Sequence, residues 1–186
     1  NNSNILLYDN SFINNRCNSQ GGAIYSYYSH PVIENNIFNK NMVLQSQGGA
    51  IYSYYSNGTI SGNYFEENKS LRSEGGAIYI YQSSPVFNNN VFVSNTSYGV
   101  GGAIRAYYSN SIYKNCVFAS NISYNSNGGA IYTDYGSGGL YNCTFNNNTA
   151  LNYADLYSYY SLPYIYNCTF NGSTSIYGSD DIYTYY

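Results

Sequence analysis

The chain has 186 residues, a net charge of -3 and only 8% charged residues; Asn, Ser, Gly and 28 Tyr replace the usual Lys and Glu surface. That length suffices for one domain with a sizeable core, while the weak charge and the lack of a Lys/Arg run argue against a nucleic-acid partner. No apolar stretch approaches the roughly 20 residues that span a bilayer, so no membrane insertion is expected, and no charged segment leads into an apolar one as in a secretory leader.

In chain order the first landmarks are Leu7 and Phe12, then a segment of variable length, then Gly21-Gly22-Ala23-Ile24. The set then repeats, and such periodicity governs everything else. Gly-Gly-Ala-Ile recurs from Gly48, Gly75, Gly101 and Gly128, with degenerate copies Tyr153-Ala154-Asp155-Leu156 and Ser179-Asp180-Asp181-Ile182. Phe-x-x-Asn runs in step as Phe12/Asn15, Phe38/Asn41, Phe65/Asn68, Phe92/Asn95, Phe118/Asn121 and Phe145/Asn148, and Phe170 has Ser173 in place of Asn. The first Gly position precedes the next Phe by 17 residues each time, whereas Phe precedes the next Gly position by 8 to 10. The variable segment is therefore expected to be the loop.

Ile24-Tyr25-Ser26-Tyr27 alternates with period two, and the alternation recurs at Ile51, Ile78, Ile104, Ile131, Leu156 and Ile182. Such alternation of β-branched and aromatic residues marks strands, and a Gly pair in every period would break helices of this length. The expectation is an all-β chain: one parallel β-helix domain over residues 1–186, about seven coils of 26–27 residues, with two or three strands per coil and no capping elements.

Four columns are predicted to point inward. They are the Ile24 column; Ser26, Ser53, Ile80, Ala106, Thr133, Ser158 and Thr184; Leu7, Ile33, Ile60, Phe87, Tyr113, Leu140 and Ile165; and the Phe ladder. On the Phe face two residues earlier stand Asn10, Asn36, Asn63, Asn90, Cys116, Cys143 and Cys168. Buried Asn requires amides bonding in register, and the three aligned cysteines read as buried thiols, because a straight ladder cannot surround a tetrahedral metal ion. Cys17 falls in the loop as a free thiol. The Asn of Phe-x-x-Asn is expected to close a turn.

The paired Gly-Gly-Ala-Ile and Phe-x-x-Asn motifs resemble the polymorphic outer membrane protein repeats of chlamydial surface autotransporters, over nearly the whole chain. That resemblance implies a right-handed parallel β-helix of the pectin-lyase-like type, extracellular or on the cell surface, with structural or adhesive roles.

No cofactor, metal or catalytic set is expected: there is a single His30 and nine acids, with Asp180-Asp181 an adjacent pair in the last degenerate copy. The predicted interaction face is instead the outward Tyr25, Tyr52, Tyr79, Tyr132, Tyr157 and Tyr183 beside Tyr27, Tyr54, Tyr81, Tyr107, Tyr159 and Tyr185. Arg105 and Asp134 interrupt these columns on adjacent coils, placed to pair diagonally. Asn57, Asn68, Asn95 and Asn121 are candidate glycosylation acceptors, the last three expected at an accessible outer turn. The last residue, Tyr186, falls where Tyr28 stands in the repeat, so self-association into an axial homopolymer is the favoured partner reading. Glycans or a host surface held by the tyrosine face are the alternative.

Overall fold

The computed structural model describes residues 4–177 and 181–185. It is a right-handed parallel β-solenoid of about seven coils, built from four seven-stranded parallel sheets. Each coil therefore contributes four strands rather than two or three. In the second coil these are Val32–Glu34, Ile37–Asn39, Met42–Val43 and Ile51–Tyr54.

The extra strand lies in the segment read as loop. Met42–Val43 stacks on Arg16–Cys17 and on Lys69–Ser70, so Cys17 is a strand residue aligned with Val43 and Ser70. Five of the seven strands in this sheet have only two residues, and their small inward residues give no hydrophobic period to read. Ser70, Ser97 and Ser123 are nevertheless buried there, their hydroxyls donating to Ser46, Ser73 and Gly99 carbonyls at 2.9, 2.8 and 2.6 Å. Only the residues after this strand form the loop.

Pairing is one-to-one: Phe38 faces Phe65, which faces Phe92, which faces Phe118. The rings lie 4.7, 4.7 and 4.9 Å apart and within 5° of parallel. Isolated aromatic pairs favour offset or edge-on contacts; the strand spacing, about 4.8 Å, imposes the stack instead. All four predicted inward columns face the core, and their central members are buried.

Both Asn columns are amide ladders. Asn68 Nδ2 donates to Asn95 Oδ1 at 2.9 Å and to the Phe38 carbonyl at 2.8 Å, while Asn68 N–H also reaches Asn95 Oδ1 at 3.0 Å. Asn36, Asn63 and Asn90 form the same pattern in the other column. Each buried amide is thus satisfied by the coil above and the coil below, which removes the cost of burying it. The Asn of Phe-x-x-Asn, expected to close a turn, does not itself take left-handed dihedrals. The residue before it does: Lys40, Glu67, Ser94 and Ser120 have φ between 53° and 56°. That turn aims the following Asn inward.

The first Gly of each pair has φ between 64° and 72°, and a Cβ on the second, as at Gly49, would overlap the Gly76 carbonyl oxygen one coil on. Tyr153 holds the first position of the sixth copy at φ 53°. Asp180, Tyr186 and the start of the seventh copy lie outside the described residues.

Phe92→Ala should cost about 3–5 kcal/mol, because the rings of Phe65 and Phe118 cannot close the gap while their strands hold register. A denaturant midpoint equal to that of the parent would contradict the continuous ring ladder.

Candidate interaction face

The tyrosine columns sit on the outer side of the sheet that carries Ile24–Tyr27 and Ile51–Tyr54. Strand alternation sends Ile24 and Ser26 inward and Tyr25 and Tyr27 outward. Tyr25 stacks on Tyr52 at 5.4 Å and Tyr52 on Tyr79 at 5.1 Å. Tyr27 stacks on Tyr54 at 5.2 Å and Tyr54 on Tyr81 at 5.0 Å. Further along, Tyr132, Tyr157 and Tyr183 continue one column and Tyr159 and Tyr185 the other.

The two columns differ in exposure, which corrects the expectation of one open phenol sheet. Tyr52 and Tyr79 are each only 6% exposed. Tyr52 is covered above and below by stacked rings, Tyr79 by the Tyr52 ring and by Arg105, and both at the side by the segment entering the Gly pair, where Gln20 bonds the Tyr52 hydroxyl and Glu74 lies beside Tyr79. Burial, the largest cause, raises both phenols, Tyr52 to about 12. The open part of the face is Tyr25, the Tyr27 column, exposed at Tyr27 and Tyr185 and partly exposed between them, and a third column absent from the predicted site, exposed at Tyr28, Tyr108, Tyr135 and Tyr160 and partly exposed at Tyr55. These five take φ of 46–51°, an uncommon conformation for a bulky residue. Their rings stack on one another, as Tyr28 on Tyr55 at 4.8 Å, and Tyr28, Tyr55 and Tyr160 meet the Tyr27 column edge-on, as Tyr28 meets Tyr27 at 4.5 Å.

Arg105 and Asp134 do pair diagonally. Nη1 and Nη2 donate to Asp134 Oδ1 and Oδ2 at 2.6 and 3.0 Å, and Nε donates to Glu74 Oε2 at 3.2 Å. The guanidinium also lies 4.5 Å from the Tyr132 ring centroid and 5.1 Å from that of Tyr107. Three successive coils are tied together by one buried cation. Such a cluster stabilises little against a well-packed apolar replacement, but removing one partner strands a charge.

The glycosylation reading fails at three of its four positions. Asn68, Asn95 and Asn121 are fully buried, with Nδ2 committed to the ladder; only Asn57 is exposed. Cys116 and Cys143 are buried free thiols, and Cys143 is pushed up by its hydrogen bond to Cys116 and by burial. Cys168 is half-buried, less enclosed than expected, and Cys17 is half-buried and free. Native-state alkylation should therefore modify Cys168 and Cys17 first and leave Cys116 and Cys143 until the chain unfolds. Equal labelling of all four by mass spectrometry would contradict this order.

Asp155 was visible only as a departure from Gly-Gly-Ala-Ile. It is buried, and its Oδ1 accepts from Asn148 Nδ2 at 2.8 Å and Ser173 Oγ at 2.6 Å, while Oδ2 has no partner. Ser173 stands where the ladder needs its next Asn, so the carboxylate supplies the acceptor that Ser cannot. The two departures in the sequence compensate each other in space.

Burial, reinforced by nearby Asp181 and opposed by the two hydrogen bonds, raises Asp155 from 3.8 to about 6. Between those values the folded chain holds a proton that the unfolded chain has lost. Stability from this group therefore falls as pH rises through that window. Asp155→Asn should match the parent near pH 4 and exceed it above pH 6 by roughly 2–3 kcal/mol. A pH-independent difference between their unfolding midpoints would rule this out.

A model of the right-handed β-helix region matches residues 1–117. The chain belongs to that family. A model of the Chlamydia polymorphic membrane protein repeat matches residues 115–134, which hold one Phe-x-x-Asn and one Gly-Gly-Ala-Ile of this β-helix. That repeat suggests a surface-exposed, outer-membrane-associated protein. No curated protein and no solved structure matches the chain significantly.

Proposed function

We propose that this β-helix is a non-catalytic structural rod of the cell surface, extended into a filament by end-to-end stacking of copies. The observation that carries the reading is the constant cross-section. Four sheets keep one-to-one register through about seven coils, so the face of one coil fits the face of another. Such a face presents unpaired N–H and C=O groups and the open tops of the Ile and Phe columns. A second copy would pair the first and bury the second. The contact is heterologous and does not close, so it propagates. The non-catalytic part of the reading draws on how the central acids are used. Glu74 and Asp134 hold Arg105, and Asp155 ends an amide ladder.

A second reading is an adhesin passenger that holds glycan or host surface through the open tyrosines, favoured by Tyr25 and Tyr27 at 50% and 53% exposure. Negative-stain images separate the two: long uniform fibres support the filament, discrete rods the adhesin.

The growth contact has its own test. Leu156 N–H donates to the Asp181 carbonyl of the following coil. Alternate residues of a parallel strand bond the same neighbour, so Thr184, two residues beyond Ile182, the counterpart of Leu156, aims its N–H at the coil that would come next. Thr184→Pro removes that donor and, among the described residues, no internal bond. Fibres should be lost while circular dichroism stays that of the parent; unchanged fibres would place the growth contact elsewhere.

A further inference from the structure

The outward phenols form a connected network whose connections are unequal. The Tyr27 column is interrupted at Asp134, and the Tyr28 column at Gln82. Neither runs the length of the rod alone. Together they do. Tyr27 contacts Tyr54 at 5.2 Å, Tyr54 contacts Tyr81 at 5.0 Å, and Tyr81 contacts Tyr107 at 5.4 Å. There the path crosses columns: Tyr107 meets Tyr108 at 4.5 Å, Tyr108 meets Tyr135 at 4.8 Å, Tyr135 meets Tyr160 at 5.4 Å, and Tyr160 meets Tyr185 at 5.4 Å. The inner Tyr25 column offers no such path, since Arg105 separates Tyr79 from Tyr132.

Phenols are among the easiest side chains to oxidise by one electron, provided the phenolic proton can leave. On this path it can. Tyr27, Tyr28, Tyr108, Tyr135, Tyr160 and Tyr185 are 41–53% exposed, and Tyr54, Tyr81 and Tyr107 are partly exposed, so water accepts the proton. We propose that the Tyr27 and Tyr28 columns together form a relay for oxidising equivalents along the rod, with Tyr81 and Tyr107 as its obligatory links. A one-electron oxidant takes an electron from one phenol, whose proton passes to water, leaving a neutral phenoxyl radical. At each hop the radical regains an electron from the adjoining phenol and a proton from water, and that neighbour loses both. The oxidant is external, and the chain contributes the closely spaced phenols.

His30, the single histidine, provides the point of entry. It is exposed, two residues beyond Tyr28, and its Nδ1 accepts from the Asn57 N–H at 3.1 Å, leaving Nε2 to take a ruthenium(II) polypyridyl complex. Flash excitation with ruthenium(III) hexaammine as electron acceptor leaves ruthenium(III) at His30, which oxidises the nearest phenol. A nitroso spin trap then marks radical sites, mapped by peptide mass spectrometry. The parent should carry adducts on Tyr135 and Tyr160 at the far end. Tyr107→Phe keeps the ring and its packing but not the oxidisable hydroxyl, so adducts should persist on Tyr54 and Tyr81 and vanish beyond. Tyr81→Phe should also clear the far end. Tyr54→Phe should not, because Tyr28 reaches Tyr81 through Tyr55 at 4.8 and 6.2 Å. Adducts confined to Tyr27 and Tyr28 in the parent, or far-end adducts undiminished in Tyr107→Phe and Tyr81→Phe, would overturn the relay.

Discussion

One constraint organises this molecule: parallel strands in one-to-one register place every side chain against its own counterpart one coil away, about 4.8 Å on. No residue type is free to ignore this. A Phe must tolerate a Phe on each face, an Asn must donate one way and accept the other, and a charge must find its opposite in the neighbouring column. The repeat in the sequence is the record of that condition, since the side chains best able to satisfy it are those that stack on themselves.

The amide ladders show why the interior is so polar for a buried core. Asn is costly to bury alone. In register, Nδ2 of one coil meets Oδ1 of the next while the backbone N–H shares the same acceptor, so burial of the column leaves little unsatisfied. Where the column changes, the replacement follows the same logic. Cys116 and Cys143 put weak donors over nearby backbone carbonyls, and the Ser173 gap is filled from a different position by Asp155. The second solution leaves a buried carboxyl that titrates near pH 6.

Departures from the repeat also place the coils. A perfectly periodic solenoid could slip by one coil and still pair its strands. Arg105 is the single cation in the inner tyrosine column, and it bonds Glu74 on one neighbouring coil and Asp134 on the other. Slippage would separate these three. The same substitution divides the inner tyrosine column and leaves the outer two as the continuous aromatic path.

The alternation at Ile24–Tyr27, the 17-residue spacing and the Phe ladder were legible because large apolar residues and glycines carry strong local signals. The diagonal Arg105–Asp134 pair was legible for a similar reason, as a charge in an otherwise aromatic column. The third strand of each coil was not, because Met42–Val43 and Lys69–Ser70 are too short to display a period and their inward residues are small. Nor was the burial of Asn68, Asn95 and Asn121. An Asn after a turn reads alike whether its amide points to water or to the next coil, and the left-handed residue one position earlier decides which. Exposure of the tyrosines depended on packing in the same way. The sequence by itself determined the coil length, the stacking columns and the all-β class, which follow from periodicity. Only the tertiary structure decided which polar residues are inside and which phenols meet water, because burial depends on the loops and neighbouring coils that cover a residue, not on its place in the repeat.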